Sequence, residues 1–187
     1  MKTLRNKRKD NIIGRQECIL LIIDVQDKLM PVIADKQSVL SNIVRLVKAC
    51  HLTDIPIVVT EQEKLGNTVT EIKNEFSAEK AIQKVHFNCF SCEDFAERVK
   101  KTGRKTLVFA GVEAHICVTQ TALHALSSYN VQVVSDAVSS RLTDNRNIAF
   151  ERMRDAGATI TSTEMFIYEI LKKAGTDEFR SVLPLVK

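Results

Sequence analysis

Short unbroken apolar runs alternate along this chain with stretches in which apolar residues recur every three or four positions. Residues 18–25 (CILLIIDV) form such a run. Val39, Leu40, Ile43, Leu46, Val47 and Cys50 follow at helical spacing, and IPIVVT returns to a run at 55–60. That pattern predicts strand, helix, strand. A strand whose apolar residues do not alternate with polar ones is covered on both faces, as in a parallel sheet with helical crossovers above and below it. Further strands are predicted at 81–85, 105–110, 131–134 and 158–161, with helices near 91–102, 115–129, 144–156 and 163–173. Gly103 and Gly157 stand where helix C-caps belong, and Thr161 with Glu164 has capping-box spacing. The alternation predicts an α/β fold: an open, doubly wound (Rossmann-like), six-stranded parallel sheet with helices on both faces. Residues 62–80 are polar and weakly patterned, which predicts a long surface loop with a helical turn, bordering a site.

Composition narrows the class. With 187 residues, 44% hydrophobic and 27% charged, the chain suits one soluble globular domain, and no apolar stretch is long enough to cross a membrane. The net charge of +4 is concentrated: residues 1–17 carry six Lys/Arg against Asp10 and Glu17, and the remaining 21 basic and 21 acidic side chains balance. We therefore read 1–17 as a basic, flexible N-terminal arm and 18–187 as a neutral folded domain with no nucleic-acid groove. The arm lacks the apolar core of a signal peptide. Five cysteines are an odd count in a chain too large to need disulfide staples, which predicts a reduced, cytoplasmic protein.

An open parallel sheet places its ligand crevice beyond the carboxyl ends of its strands, so polar residues that end apolar strands carry chemical interest. Asp24 closes CILLII, Lys84 closes AIQ, and Cys117 lies past KTLVFA and the loop GVEAHI, near a helix start. Each alone has an ordinary explanation: a cap, a solvent-facing amine, a buried small hydrophobe. Together they offer a cysteine nucleophile a base, a cation and a helix N-terminus.

The segments LLIIDVQ (20–26), KVHFNCF (84–90), FAGVEAHICVTQTA (109–122) and VVSDAVSSR (133–141) resemble the isochorismatase-like cysteine hydrolases. The likeness runs over residues 18–182 and is nearest to the branch called isochorismatase domain-containing proteins. It implies a catalytic triad of Asp24, Lys84 and Cys117 and a cis peptide between Val112 and Glu113. It also implies an oxyanion hole from the backbone N–H groups of Glu113 and Cys117, and a homo-oligomer. The implied reaction is metal-independent hydrolysis of a small amide or related C–N bond through a thioester, with no cofactor. Cys117 would then alkylate quickly near pH 6.

Two departures from the family pattern matter. Asn88 stands where the usual Lys-x-x-Phe-Ser-x-Phe has serine. Relatives that are nicotinamidases bind a divalent cation through Asp-x-His after the second strand, and here that stretch reads Thr60-Glu61-Gln62-Glu63, so neither metal nor nicotinamide is expected. True isochorismatases lack the nucleophilic cysteine, so Cys117 argues against vinyl-ether cleavage.

Gln26, Phe87, Phe90 and His115 are the remaining pocket candidates, Gln26 on the resemblance alone. Phe87 and Phe90 fit core packing equally well, and His115 could serve a local backbone group instead of substrate. Cys89 and Cys92 have redox spacing, with His86 nearby, but a zinc cage needs a fourth ligand, so ordinary packing is expected. The partner expected is a small-molecule substrate, with neither nucleic acid nor membrane. The competing reading is a catalytically weak protein that keeps the fold and serves as an interaction module.

Overall fold

The computed structural model describes residues 12–75 and 81–186. The first half runs β1 (Cys18–Ile23), α1 (Lys36–Leu52), β2 (Ile57–Gln62), α2 (Thr70–Lys73), β3 (Ile82–Lys84) and α3 (Glu93–Lys101). The second half runs β4 (Thr106–Val112), α4 (Thr119–Ala125), β5 (Asn130–Ser139), α5 (Thr143–Ala156), β6 (Thr159–Thr161), α6 (Thr163–Leu171) and α7 (Asp177–Val182). All strands pair in parallel, in the order β3-β2-β1-β4-β5-β6. This is the doubly wound sheet that the alternation of patterns predicts.

Every residue of β1 is buried. Leu20 and Ile22 face a layer built from α1, α6 and α7, while Ile19, Leu21 and Ile23 face α3, α4 and α5. The period of two therefore sorts one continuous apolar run into two cores. The same alternation in β2 puts Ile57 and Val59 on the first face and Val58 on the second. Thr60 and Gln62 continue the Val58 side past the point where the apolar pattern stops, because β2 extends two residues beyond IPIVVT.

The sheet order reverses between β1 and β4, so the crevice of the fold opens where these strands end. Gly111 makes their close approach possible: its φ is +115°, and a Cβ there would lie 2.1 Å from the Ile23 carbonyl oxygen. Next to it the β4–β5 register shifts between Phe109 and Gly111, which carries β5 on through Ser135 and Asp136 to Ser139.

Several local expectations change. α6 is capped by Ser162, whose side chain accepts from the Met165 N–H, and Thr161 ends β6 instead of opening a capping box. The helix expected over 115–129 begins as a π-type turn, Ala114–Val118, before α4. α7 carried a legible signal: Thr176 accepts from the Phe179 N–H, with Asp177 and Glu178 in the first turn. Gly157 does cap α5, at φ 110°.

Of the arm expected over 1–17, residues 1–11 lie outside the described residues. Residues 12–17 pack on the body: Ile13 is buried, Arg104 donates to the Arg15 carbonyl, and Arg15 pairs with Glu178. Among the described residues, no helix is long and apolar enough to cross a membrane.

Candidate active site

Asp24 is the first residue past β1 and sits at φ 52°, in the left-handed region that Asp tolerates better than most side chains. Its carboxylate is fully enclosed. Oδ1 accepts from the Thr60 hydroxyl at 2.8 Å, and Oδ2 accepts from Lys84 Nζ at 2.7 Å. Lys84 ends β3, two strands away from β1, so its side chain crosses the end of β2 to reach the carboxylate. Two strand spacings amount to roughly 10 Å, about what a lysine and an aspartate can bridge together. On the way the ammonium donates to Gln62 Oε1 at 2.9 Å, and it lies 3.7 Å from Cys117 Sγ. The side chains of Lys84 and Asp24 are 0% and 1% exposed. An ion pair buried this completely contributes little net stability, so its presence points to chemistry.

Cys117 is delivered by the chain that leaves β4. The Val112–Glu113 peptide bond is cis, and the Glu113 carbonyl then accepts from the N–H groups of Ile116 and Val118, at 3.1 and 3.4 Å. These bonds straddle Cys117 in a turn wider than an α-helical one. Thr121 Oγ1 secures the turn by donating to the Cys117 carbonyl at 2.7 Å. The Glu113 side chain is buried and accepts from the Arg141 N–H, which ties the exit of β5 to the same turn.

The electrostatics set the resting state of the sulfur. Burial pushes the Cys117 thiol well above the ordinary thiol range, and the Asp24 charge adds to the rise. Lys84 pulls the other way, and a hydrogen bond from the thiol to Asp24 also favours the protonated form. Burial and Asp24 thus favour the thiol as the resting form of Cys117, and Lys84 alone favours the thiolate. One ammonium balances one anion in this buried space. A second negative charge is disfavoured, but moving the thiol proton to Asp24 keeps the triad at constant charge. For Lys84, burial acts to lower its affinity for the proton, yet Asp24, Cys89 and Cys117 together outweigh it and the net shift is upward.

The other candidates make contacts of their own. Gln26 is fully buried and its amide is occupied by backbone. Oε1 accepts from the Gln62 N–H, and Nε2 donates to the carbonyls of Gln62 and Gly66. It therefore fastens the loop after β2 and presents no free polar hydrogen to a pocket. His115 Nδ1 lies 2.9 Å from Ser140 Oγ. Phe90 stacks on His124 and Tyr129 and meets Phe95 edge-on, which is core packing, whereas Phe87 is exposed. Cys92 donates to the Gln83 carbonyl. Cys89 is buried behind the triad, its thiol pushed up to about 11 by burial. All five cysteines are free.

Thr60 and Gln62 were not picked out from sequence, although both touch the triad. Their signal was available: they are polar residues at i and i+2 of a strand whose preceding residue on that face, Val58, is buried. Glu61, between them, points to the opposite side, where it accepts from Thr68 and Gln83. Among the described residues, no group of three or more His, Cys, Asp or Glu side chains could hold a metal ion.

Comparison with known proteins places the chain as a whole. The secreted isochorismatase effector Isc1 of Phytophthora sojae is 39% identical over 178 residues, covering 90% of this chain and 84% of its own. The MAR1 ribonuclease of Caenorhabditis elegans superposes with a TM-score of 0.86 at 32% identity, covering 93% of this chain and 91% of its own. YcaC is similar in two forms, each at 26% identity and covering 95% of this chain. The Pseudomonas aeruginosa protein, solved with hexane-2,5-diol and covalent acrylamide, has a TM-score of 0.88 and is covered over 93%. The Escherichia coli protein, an octameric hydrolase of unknown specificity, has a TM-score of 0.89 and is covered over 90%. The isochorismatase domain matches residues 18–165, and the chain belongs to the isochorismatase family.

Proposed function

We propose that this protein is a metal-independent cysteine hydrolase for a small amide or related C–N bond, with Cys117 as nucleophile, Asp24 as proton carrier and Lys84 as the fixed cation between them. One observation carries the reading: the Lys84 ammonium lies 2.7 Å from Asp24 Oδ2 and 3.7 Å from Cys117 Sγ, in a buried site built from three strand ends. The thiol proton passes to Asp24 as sulfur attacks the carbonyl carbon, so the triad keeps its net charge. The oxyanion is received by the N–H groups of Glu113 and Cys117, each donor worth roughly 3 to 4 kcal/mol. Collapse breaks the C–N bond, and Asp24 returns its proton to the departing amine. Water then gives a proton to Asp24 and attacks the thioester, which releases the acid and restores the thiol.

Covalent acrylamide on Pseudomonas aeruginosa YcaC supports a reactive nucleophile in this fold. The ribonuclease name of the Caenorhabditis elegans relative places RNA among the substrates to assay, whereas the near-complete burial of Lys84 and Asp24 favours a small carbonyl compound. By analogy with octameric YcaC the chain forms a homo-oligomer, which light scattering tests, and its five free cysteines favour a reducing compartment such as the cytoplasm. The deciding experiment is turnover of a panel of small amides, ureas and carbamates by wild type and by the Cys117→Ala variant. Turnover lost in the variant supports the hydrolase. No turnover of any member, with a partner captured equally by both forms, supports an interaction module instead.

A further inference from the structure

The triad lysine has an orientation problem. Its ammonium must serve a carboxylate and a sulfur from a strand two positions away, on a flexible four-carbon stem with several rotatable bonds. An ammonium has three N–H donors, and only two of them are explained by the triad. The third goes to Gln62 Oε1 at 2.9 Å, from the residue that sits beside Lys84 in the β2–β3 register.

Gln62 is itself held at every polar group. Its side-chain Nε2 donates to the Val85 carbonyl at 2.9 Å, its N–H donates to Gln26 Oε1 at 2.8 Å, and its carbonyl accepts from Gln26 Nε2 at 3.0 Å. Gln26 Nε2 also grips the Gly66 carbonyl at 2.7 Å, so the loop after β2 cannot move without breaking this clamp. Three fixed points then determine how the ammonium rotates: Asp24 and Gln62 take two N–H groups, and the remaining one is directed at Cys117 Sγ.

We propose that Gln62, clamped by Gln26, is a positioning residue that fixes the rotation of the Lys84 ammonium and so aims one N–H at the Cys117 sulfur. The inference rests on the reading of Lys84 and Cys117 as catalytic. It gives Gln26 a role through Gln62 in place of contact with substrate. The period of two assigns the task to Gln62, since Glu61 belongs to the other face of the strand, where it accepts from Thr68.

The test uses alkylation of the full-length protein by iodoacetamide across pH, read by mass spectrometry of the Cys117 peptide with the Cys92 peptide as internal reference. This measurement needs no substrate. Wild type is compared with Gln62→Met, Gln62→Ala, Gln26→Met and Lys84→Met, each checked for native secondary structure and oligomeric state; two variants at Gln62 cover the loss of one to misfolding. Gln62→Met is expected to slow Cys117 alkylation relative to Cys92 by about tenfold, the scale of one hydrogen bond to a charged group. The deficit should persist at every pH below about 9, where the protein stays folded, because the ammonium that favours the thiolate loses its aim. Gln26→Met should give the same direction with a smaller change. Where a turned-over amide is in hand, kcat falls by a similar factor with KM within twofold. A Cys117 profile that Lys84→Met shifts and neither Gln62 variant shifts overturns this inference alone. A profile indifferent to Lys84→Met overturns the catalytic reading beneath it.

Discussion

Ile23 and Gly111 face each other across β1 and β4 so closely that a Cβ on Gly111 would lie 2.1 Å from the Ile23 carbonyl oxygen. The residues that follow them, Asp24 on one strand and the turn carrying Cys117 on the other, inherit their separation from this contact. The Gly111→Ala variant must both adopt φ +115° and push the strands apart. It is expected to lose about 3 kcal/mol or more of stability, read by urea denaturation. Cys117 alkylation in the surviving folded protein should lose its distinction from Cys92.

Asp24 has opposite effects on the sulfur at rest and in turnover. Its charge raises the Cys117 thiol, second only to burial, while Lys84 lowers it. The Asp24→Asn variant removes the anion and leaves the ammonium, so the Cys117 alkylation profile should move to lower pH. Turnover should fall at least about 100-fold in the same variant, because nothing carries the proton to the leaving group. A profile that moves to higher pH would contradict this account of the triad's charge.

Burial of Lys84 against Asp24 predicts a compensating pair of substitutions. Lys84→Met alone leaves a buried carboxylate without its cation and is expected to cost about 3 to 5 kcal/mol. Adding Asp24→Asn removes the unpaired charge and should recover most of that loss. Chemical denaturation of the two singles and the double gives the coupling directly.

Buried thiols predict a loss of stability in alkali. Burial raises Cys18 to about 12 and Cys89 to about 11, and it raises Cys50 and Cys117 as well. In the unfolded chain these groups ionise near 8.5, so between roughly pH 9 and 11 the folded state holds protons that the unfolded state has released. The stability from this difference is complete below pH 8.5 and disappears as pH rises through the folded values. Each thiol contributes a slope of roughly 1.4 kcal/mol per pH unit between its unfolded and folded values. Thermal unfolding at pH 7.5 and pH 10 should show a marked drop, made shallower by Cys50→Ala.

β1, β2 and β4 were legible as short apolar runs covered on both faces, whereas the edge strands β3 and β6 are short, partly polar and half-exposed and were legible only from their place in the alternation. Asp24 and Lys84 were legible as polar residues ending apolar strands. Gln62 was not, because it belongs to a polar stretch whose strand character depends on pairing with β3, and only that register puts it beside Lys84. The partners of Gln26 were hidden for a related reason: its amide bonds the backbone of a loop 36 to 40 residues away, a contact no local pattern reveals. The resting thiol of Cys117 was invisible in sequence, since it follows from burial and from which charges share the space. Ser162 displaced Thr161 as the cap of α6 because β6 keeps Thr161 for its last rung.

The most direct measurement is acid-quenched peptide mapping of the wild-type protein during turnover of whichever small amide in the panel it hydrolyses. The account predicts an acyl group attached through sulfur at Cys117 and at no other cysteine, absent from the Cys117→Ala variant. Hydrolysis that proceeds with Cys117 unmodified, or that survives the Cys117→Ala change, would contradict it.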